Sequence, residues 1–190
     1  MPWKNGLGTT TEIAVDPPGA GLDAFAWRVS VAELTTSGPF SSFPGYERII
    51  IQTEGEPMEL VHEGRGRHRL AWLSPYRFEG EWSTRGELAA PPVRDFNVMA
   101  RRDWLRSSAS VHHLGGGDAV GLASAATAQI VYAFRGALAI RAGDADAALE
   151  LGAEETVIVT GDAVGARGDG LEIAAIAGDA IAFVVDLARR

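Results

Sequence analysis

Cysteine is absent from this chain, and lysine and asparagine nearly so. Without cysteine there is no disulfide framework and no thiolate to act as nucleophile or metal ligand. Lys4 is the only lysine, and Asn5 and Asn97 are the only asparagines; positive charge is otherwise carried by arginine. No run approaches the roughly 20 apolar residues of a membrane-spanning helix. The N-terminus lacks the charged segment followed by an apolar one that marks a secretion signal. These absences fit a cytoplasmic protein. The net charge of −8 disfavours nucleic acid and anionic membranes as partners. His62, His68, His112 and His113 form neither His-x-His nor His-x-x-x-His, so the usual basis for a metal centre is missing, and no metal or other cofactor is expected. There is no G-x-S-x-G. Gly6-Leu7-Gly8 and Gly64-Arg65-Gly66 are too short to be phosphate-binding fingerprints. Convincing amphipathic helices of about ten residues or more are lacking too.

What is present reads as strand and turn. The 190 residues are 46% hydrophobic and 22% charged, enough for a core in one domain or two small ones. Asp95-Phe96-Asn97-Val98-Met99-Ala100-Arg101 alternates with period two, placing Asp95, Asn97, Met99 and Arg101 on one face. The stretch from Phe25 to Ala32 alternates in the same way, with Arg28 and Ser30 opposite Phe25, Trp27, Val29 and Val31. Further strands are expected at 48–52, 58–62, 70–73 and 75–82. Gly38-Pro39-Phe40-Ser41-Ser42-Phe43-Pro44-Gly45-Tyr46 reads as a loop anchored by apolar residues. Arg65, Arg67, His68 and Arg69 read as an exposed hairpin tip, since they lack the interleaved aromatics that stack on bases.

The two halves differ. All five tryptophans lie at or before position 104, and the later segment is rich in Ala and Gly. Ser-Ser-Ala-Ser and the Gly115–Gly117 triplet suggest a linker over 107–117, separating an N-terminal unit, 1–105, that carries the site from a C-terminal unit, 106–190. The later half repeats the strand-turn-strand pattern at 130–134, 137–140 and 155–162, with closing strands near 171–176 and 181–187. Gly55 and Gly80 stand 25 positions apart, as do Gly136 and Gly161, which suggests an internal repeat of one β unit. Many short strands with Gly/Pro turns point to an all-β sandwich or barrel.

The candidate site residues are Lys4, Asn5, Arg28, Ser30, Arg48, Asp95, Asn97 and Arg101. On pattern alone, an ordinary solvated face is the commoner reading for such a set. If a barrel buries these side chains, they must satisfy one another or hold a polar ligand. Two or three Arg/Lys with an amide suit a carboxylate, because a guanidinium binds it bidentately. Asp95 could orient an arginine or accept from an N–H of the ligand.

At these residues the chain resembles the HutD/Ves family of bicupins. The resemblance rests on Pro2-Trp3-Lys4-Asn5-Gly6 with Gly8 and Thr10; Trp27-Arg28-Val29-Ser30-Val31-Ala32; Gly38-Pro39-Phe40-Ser41 with Phe43, Gly45 and Arg48; Phe78-x-Gly80; and Asp95-Phe96-Asn97-Val98-Met99 with Arg101. It covers about the first 100 residues of the sequence and thins after residue 105. It implies two cupin-like antiparallel β-barrels, a connection to histidine utilisation or stress response, no established catalytic activity and no cupin metal histidines. Leu7 stands where the family tends to have glycine, and a short strand that precedes the Trp-Lys-Asn-Gly motif in relatives is expected to be missing here. The combined expectation is a metal-independent bicupin that binds a small anionic, carboxylate-bearing metabolite and acts as a regulator; a homodimer is compatible with it. Two alternatives stand beside it: a metal-independent enzyme with Asp95 as general base and Lys4 or Arg28 stabilising an anion, and a purely structural or protein-binding module.

Overall fold

In the computed structural model, residues 8–122, 126–143, 145, 147–160 and 170–190 are described. Lys4, Asn5, Leu7 and Gly161 lie outside the described residues. Every α-helical possibility is unused among those described: the regular elements are all strands. The chain divides into two compact units, the first ending at Leu105 and the second beginning at Arg106.

The first unit has two antiparallel sheets. The larger is ordered β1 (Gly8–Asp16), β2 (Trp27–Leu34), β9 (Val93–Arg101), β4 (Tyr46–Glu54), β7 (Tyr76–Glu79). The smaller is ordered β3 (Gly38–Pro39), β8 (Thr84–Glu87), β5 (Glu59–His62), β6 (Gly66–Arg69). One core draws on both sheets: Ala32, Leu34, Ile50, Phe78 and Val93 from the larger, and Leu60 from the smaller, with Met58 and Leu70 beside them. Further along the same face, beyond the polar residues of β2, β9 and β4, Tyr46 and Met99 form a smaller apolar cluster with Phe25, Val15, Ala20 and Phe43. The reverse face is buried as well, at Val29, Val31, Ile49, Ile51, Phe96, Val98 and Ala100.

The second unit follows the same plan. Its sheets are ordered β10 (Leu105–Leu114), β17 (Ala180–Arg189), β12 (Ala128–Arg135), β15 (Thr156–Thr160) and β11 (Ala119–Leu122), β16 (Leu171–Ala175), β13 (Leu138–Ala142), β14 (Leu149–Leu151). Position by position these repeat β2-β9-β4-β7 and β3-β8-β5-β6. Each unit is thus a cupin-like pair of sheets sharing an apolar interior, and hydrogen bonding among the described residues does not run around either one as a closed cylinder.

Gly55 and Gly136 occupy equivalent turns. Gly55 follows β4 with φ +88°, and a Cβ there would sit 2.5 Å from the Pro92 carbonyl oxygen and 3.1 Å from the Val93 Cα. Gly136 follows β12 with φ +74°, and its Cβ would sit 2.5 Å from the Asp179 oxygen and 2.9 Å from the Ala180 Cα. In each case a register shift precedes the glycine, between Gln52 and Glu54 and between Ala133 and Arg135. Both conditions exclude a side chain: the left-handed backbone and the close approach of the next strand.

Three expectations change. The segment 107–117 is not a linker: its first part continues β10 to Leu114, because Ser107 and Leu114 are buried on a paired strand. Residues 70–73 do not form a strand. Leu73 has φ 54°, Leu70 N–H bonds the Met58 carbonyl, and Trp72 makes only an isolated bridge to Gln52. The polar faces of β2 and β9 are not solvated: with one sheet face against the core and the other covered, both burial patterns are almost continuous.

Gly55→Ala and Gly136→Ala should each destabilise the protein by about 1–3 kcal/mol from backbone strain. Chemical unfolding followed by tryptophan fluorescence and circular dichroism measures the loss.

Candidate functional site

The site arises from strand register. Across β2, β9 and β4, the pairing aligns Ala32 with Asp95 and Gln52, Ser30 with Asn97 and Ile50, and Arg28 with Met99 and Arg48. Because side chains alternate along a strand, these rows share the face that carries Leu34, Val93 and Ile50 into the core. The apolar end of that face becomes polar within two rows. Asp95 is wholly inaccessible, and Arg28, Ser30, Arg48, Gln52 and Asn97 are each buried.

Asn97 joins the charges. Its Oδ1 accepts from Arg48 Nη2 at 3.0 Å, and its Nδ2 donates to Asp95 Oδ1. The amide has one orientation here: reversed, it would present N–H to a guanidinium and oxygen to a carboxylate. The Arg48 guanidinium carbon also lies 5.0 Å from the Phe40 ring centre and 5.1 Å from that of Phe78, favourable cation–π positions. Arg28 donates through Nε to Glu12 Oε2 at 2.8 Å and approaches Ser30 Oγ at 3.5 Å. Gln52 is committed to the backbone. Its Nε2 donates to the Glu56 carbonyl at 2.8 Å, with those of Gly55 and Glu54 at 3.3 and 3.5 Å, and its Oε1 accepts from Met58 N–H at 2.8 Å.

Two polar atoms of the cluster, Arg48 Nε and Asp95 Oδ2, are buried without a partner. Groups left in that state cost free energy and call for a partner such as a water, an ion, a ligand group or, for the carboxyl, a proton. Burial pushes the Asp95 carboxyl up to about 7, against the opposing pull of Arg48 and the Asn97 hydrogen bond. Burial likewise brings Arg48 down to about 10, with Asp95 resisting and Arg28 adding to the fall. Arg48 therefore remains a cation at neutral pH while Asp95 is divided between its two forms.

Of the sequence candidates, the fold brings together Arg28, Ser30, Arg48, Asp95 and Asn97. Arg101 shares the strand face but lies beyond Met99, stacked over Trp104 at 4.5 Å and near Tyr46 at 5.6 Å. Lys4 and Asn5 fall outside the described residues. Sequence reasoning missed Glu12, Gln52 and the aromatic partners Phe40 and Phe78. Rarity was a usable signal for one of these, since Gln52 and Gln129 are the only glutamines.

It also missed a second polar group on the same core. Thr84 Oγ donates to the Trp82 carbonyl at 3.1 Å, which leaves its oxygen to accept from His62 Nδ1 at 2.9 Å. The His62 Nε2 then accepts from the Tyr76 hydroxyl at 3.1 Å. Burial, then His68 and Arg65, push His62 below its ordinary value, so the neutral ring is the stable form. Phe78 lies between the two groups, with its ring 5.2 Å from that of His62. The basic tract is engaged at the surface: Arg67 pairs with Glu59 and Glu87, and Arg65 lies over Trp82. Among the described residues no group of three or more His, Cys, Asp or Glu is placed to hold a metal, and no helix is long and apolar enough to cross a membrane.

The fold and this interior define a cupin-like protein with a buried polar site in its first unit. A cupin 2 barrel-domain protein from Leptotrichia buccalis superposes with TM-score 0.59 at 9% identity, covering 95% of this chain and 88% of its own; that likeness concerns the fold alone. The HutD family model matches residues 1–177, and the chain belongs to the HutD family. Among curated relatives, an uncharacterized 21.2 kDa protein in the hutC 3′ region of Pseudomonas putida is 39% identical over 119 residues, 59% of this chain and 62% of that protein. Protein Ves of Cronobacter sakazakii is 37% identical over 110 residues, 57% of this chain and 59% of its own. The chain thus spans about three fifths of the length of these relatives. Two solved structures match nearly throughout. A conserved protein of unknown function from Pseudomonas aeruginosa PAO1 has TM-score 0.84 at 30% identity, covering 99% of this chain and 93% of its own. HutD from Pseudomonas fluorescens SBW25, in a formate condition, has TM-score 0.77 at 28% identity, covering 100% and 93%.

Two stability outcomes follow from the cluster. Asn97→Leu strands both Arg48 and Asp95, at about 1–3 kcal/mol for each unsatisfied group, and denaturant unfolding reads the sum. Asp95 gives a pH signature. Between the ordinary carboxyl value of 3.8 and about 7 the folded state holds a proton that the unfolded state has released. Its contribution to stability therefore falls as pH rises through that window and is level above it. Asp95→Asn should remove this slope, so its melting temperature should gain on the parent protein at pH 8 relative to pH 4.5.

Proposed function

We propose that the first unit binds a small carboxylate-bearing metabolite at the Arg48–Asn97–Asp95 cluster, without a metal, as a cytoplasmic protein with a regulatory role. The observation that carries this reading is the unpartnered, buried Arg48 Nε. A guanidinium N–H away from water is matched well by a carboxylate oxygen, through a charge-assisted hydrogen bond. The balance of charge agrees. Glu12 offsets Arg28, whereas Asp95, held near neutral form, only partly offsets Arg48. Membership of the HutD family and the relative named for the hutC 3′ region support placing the metabolite in histidine utilisation.

A panel of histidine, urocanate, formylglutamate, glutamate and formate, screened by thermal shift, tests the reading, since a ligand of the native state raises its melting point. Arg48→Lys keeps the charge and removes the Nε–H. Loss of one charge-assisted bond, worth about 1.5–3 kcal/mol, should weaken any confirmed ligand by about ten- to a hundredfold. Unchanged affinity in a folded variant would remove Arg48 from the site.

A second reading draws on Asp95. A carboxyl near 7 with a free oxygen has the properties of a general base at neutral pH. Mass spectrometry of each binder after incubation with the protein decides it: an unaltered ligand leaves binding alone.

A further inference from the structure

We propose that Asp95 meets the bound ligand as a neutral carboxylic acid, so that the site takes up one proton with each anion it binds. This rests on the carboxylate reading above and adds its linkage to pH.

The argument begins with the donors available to Asp95. On its own strand, Asn97 Nδ2 serves Oδ1. On β2, the cross-strand neighbour is Ala32, which has no polar side chain. On β4, the neighbour is Gln52, whose donor and acceptor are both committed to the 54–58 backbone. Oδ2 is left buried with no donor among the described residues. An ionised oxygen in that position is costly, whereas a protonated one can itself donate. A ligand carboxylate arriving at Arg48 Nε brings a second negative charge into the same water-poor interior. Two adjacent buried carboxyl groups cannot both remain ionised at low cost, and they share a proton. The proton comes from solvent and forms the Asp95 Oδ2–H bond; no other covalent bond changes. Asp95 then offers the ligand oxygen a hydrogen bond, and the remaining charges, Arg48 and the ligand, cancel.

The free protein is already prepared for this, since burial lifts the Asp95 carboxyl to about 7. The other charged or titratable groups on or facing this side of the sheet, among the described residues, are Glu12 on β1 and Arg28 on β2, which pair with each other; Arg48 on β4, with Tyr46 two residues earlier donating to the Phe25 carbonyl; Arg101 on β9, against Tyr46 and Trp104; and, from the neighbouring elements, Tyr76 on β7 and His62 on β5, across Phe78. Burial holds Tyr76 above its ordinary value, and His62 lies below its own. Neither changes charge appreciably between about pH 7 and 8.5, which leaves Asp95 as the group that titrates there.

The test is calorimetric titration of the parent protein with each of the five carboxylates of the thermal-shift panel. At pH 8 it is run in buffers of different ionisation enthalpy, and the affinity is then followed from pH 6 to 8.5. Expected are close to one proton taken up per ligand at pH 8, affinity nearly level below about pH 6.5, and a loss approaching tenfold per unit above about 7.5. Asp95→Asn supplies a permanent N–H donor in place of the acid O–H, so its affinity should be level over the range once the ligand's own titration, common to both proteins, is subtracted. Binding without proton uptake overturns the proposal and leaves the carboxylate reading standing; it is the result expected if an N–H of the ligand bonds an ionised Asp95. Failure of all five to bind overturns both. If Asp95→Asn does not fold, proton uptake by the parent protein still decides.

Discussion

A guanidinium buried to 4% exposure is the constraint on which the first unit's interior depends. Arg48 sits on a strand whose neighbouring inward residue, Ile50, belongs to the apolar core, and it cannot turn to solvent without breaking the alternation of β4. Its charge is accommodated by Asn97 and by the rings of Phe40 and Phe78. That requirement explains why an asparagine stands at 97 and why Asp95 lies one step further along. It also explains the loop at 38–46: Phe40, just beyond the short β3, is held against the core rather than released to solvent. A buried ion cluster of this kind is seldom the most stable way to fill such a space.

The second unit shows the same fold without the cluster. Counting from the equivalent glycines, Arg48 and Gln129 each stand seven residues earlier. The register agrees, since Arg48 pairs with Met99 as Gln129 pairs with Asp186. Continuing along the strands, Ala182 takes the place of Asp95, Val184 that of Asn97 and Ala133 that of Gln52, all three within the apolar core. What remains polar there is Gln129, donating to Asp186 at 2.8 Å. The architecture therefore forms with alanine and valine at the positions that matter in the first unit. The fold is common to both copies, and the buried ion cluster belongs to one.

Much of this was legible in the sequence. The period-two runs located the long strands, and the absence of helical periodicity excluded the α classes. Glycine spacing hinted at the repeat, and the turn glycines Gly55 and Gly136 stand in equivalent places. The cluster residues Arg28, Ser30, Arg48, Asp95 and Asn97 were visible as rare or charged side chains on alternating faces. What pattern could not supply was the side of the sheet that faces inward. A polar alternation usually marks the solvated face, and here both faces are buried: the polar residues stand between two apolar clusters on one face, while Val29, Val31, Ile49, Ile51, Phe96 and Val98 are buried on the other. Pairings such as Arg28 with Glu12 depend on the register of β1 against β2, including its shift between Glu12 and Ala14. Short strands such as β8 and β11 and the Ser-rich start of β10 carry too little periodicity to stand out from loops.

Gln52 does more than fill a row beside Asp95. Its side chain ties the end of β4 to the turn leading into β5, and its main-chain oxygen accepts from Leu73 N–H. Three separate lengths of chain thus converge on one residue at the edge of the cluster. Under the proposed reading, a ligand here would meet side chains whose rotamers are already fixed, and little further freedom would be lost on association. Such preorganisation would suit a very small molecule, with few atoms to contribute contacts.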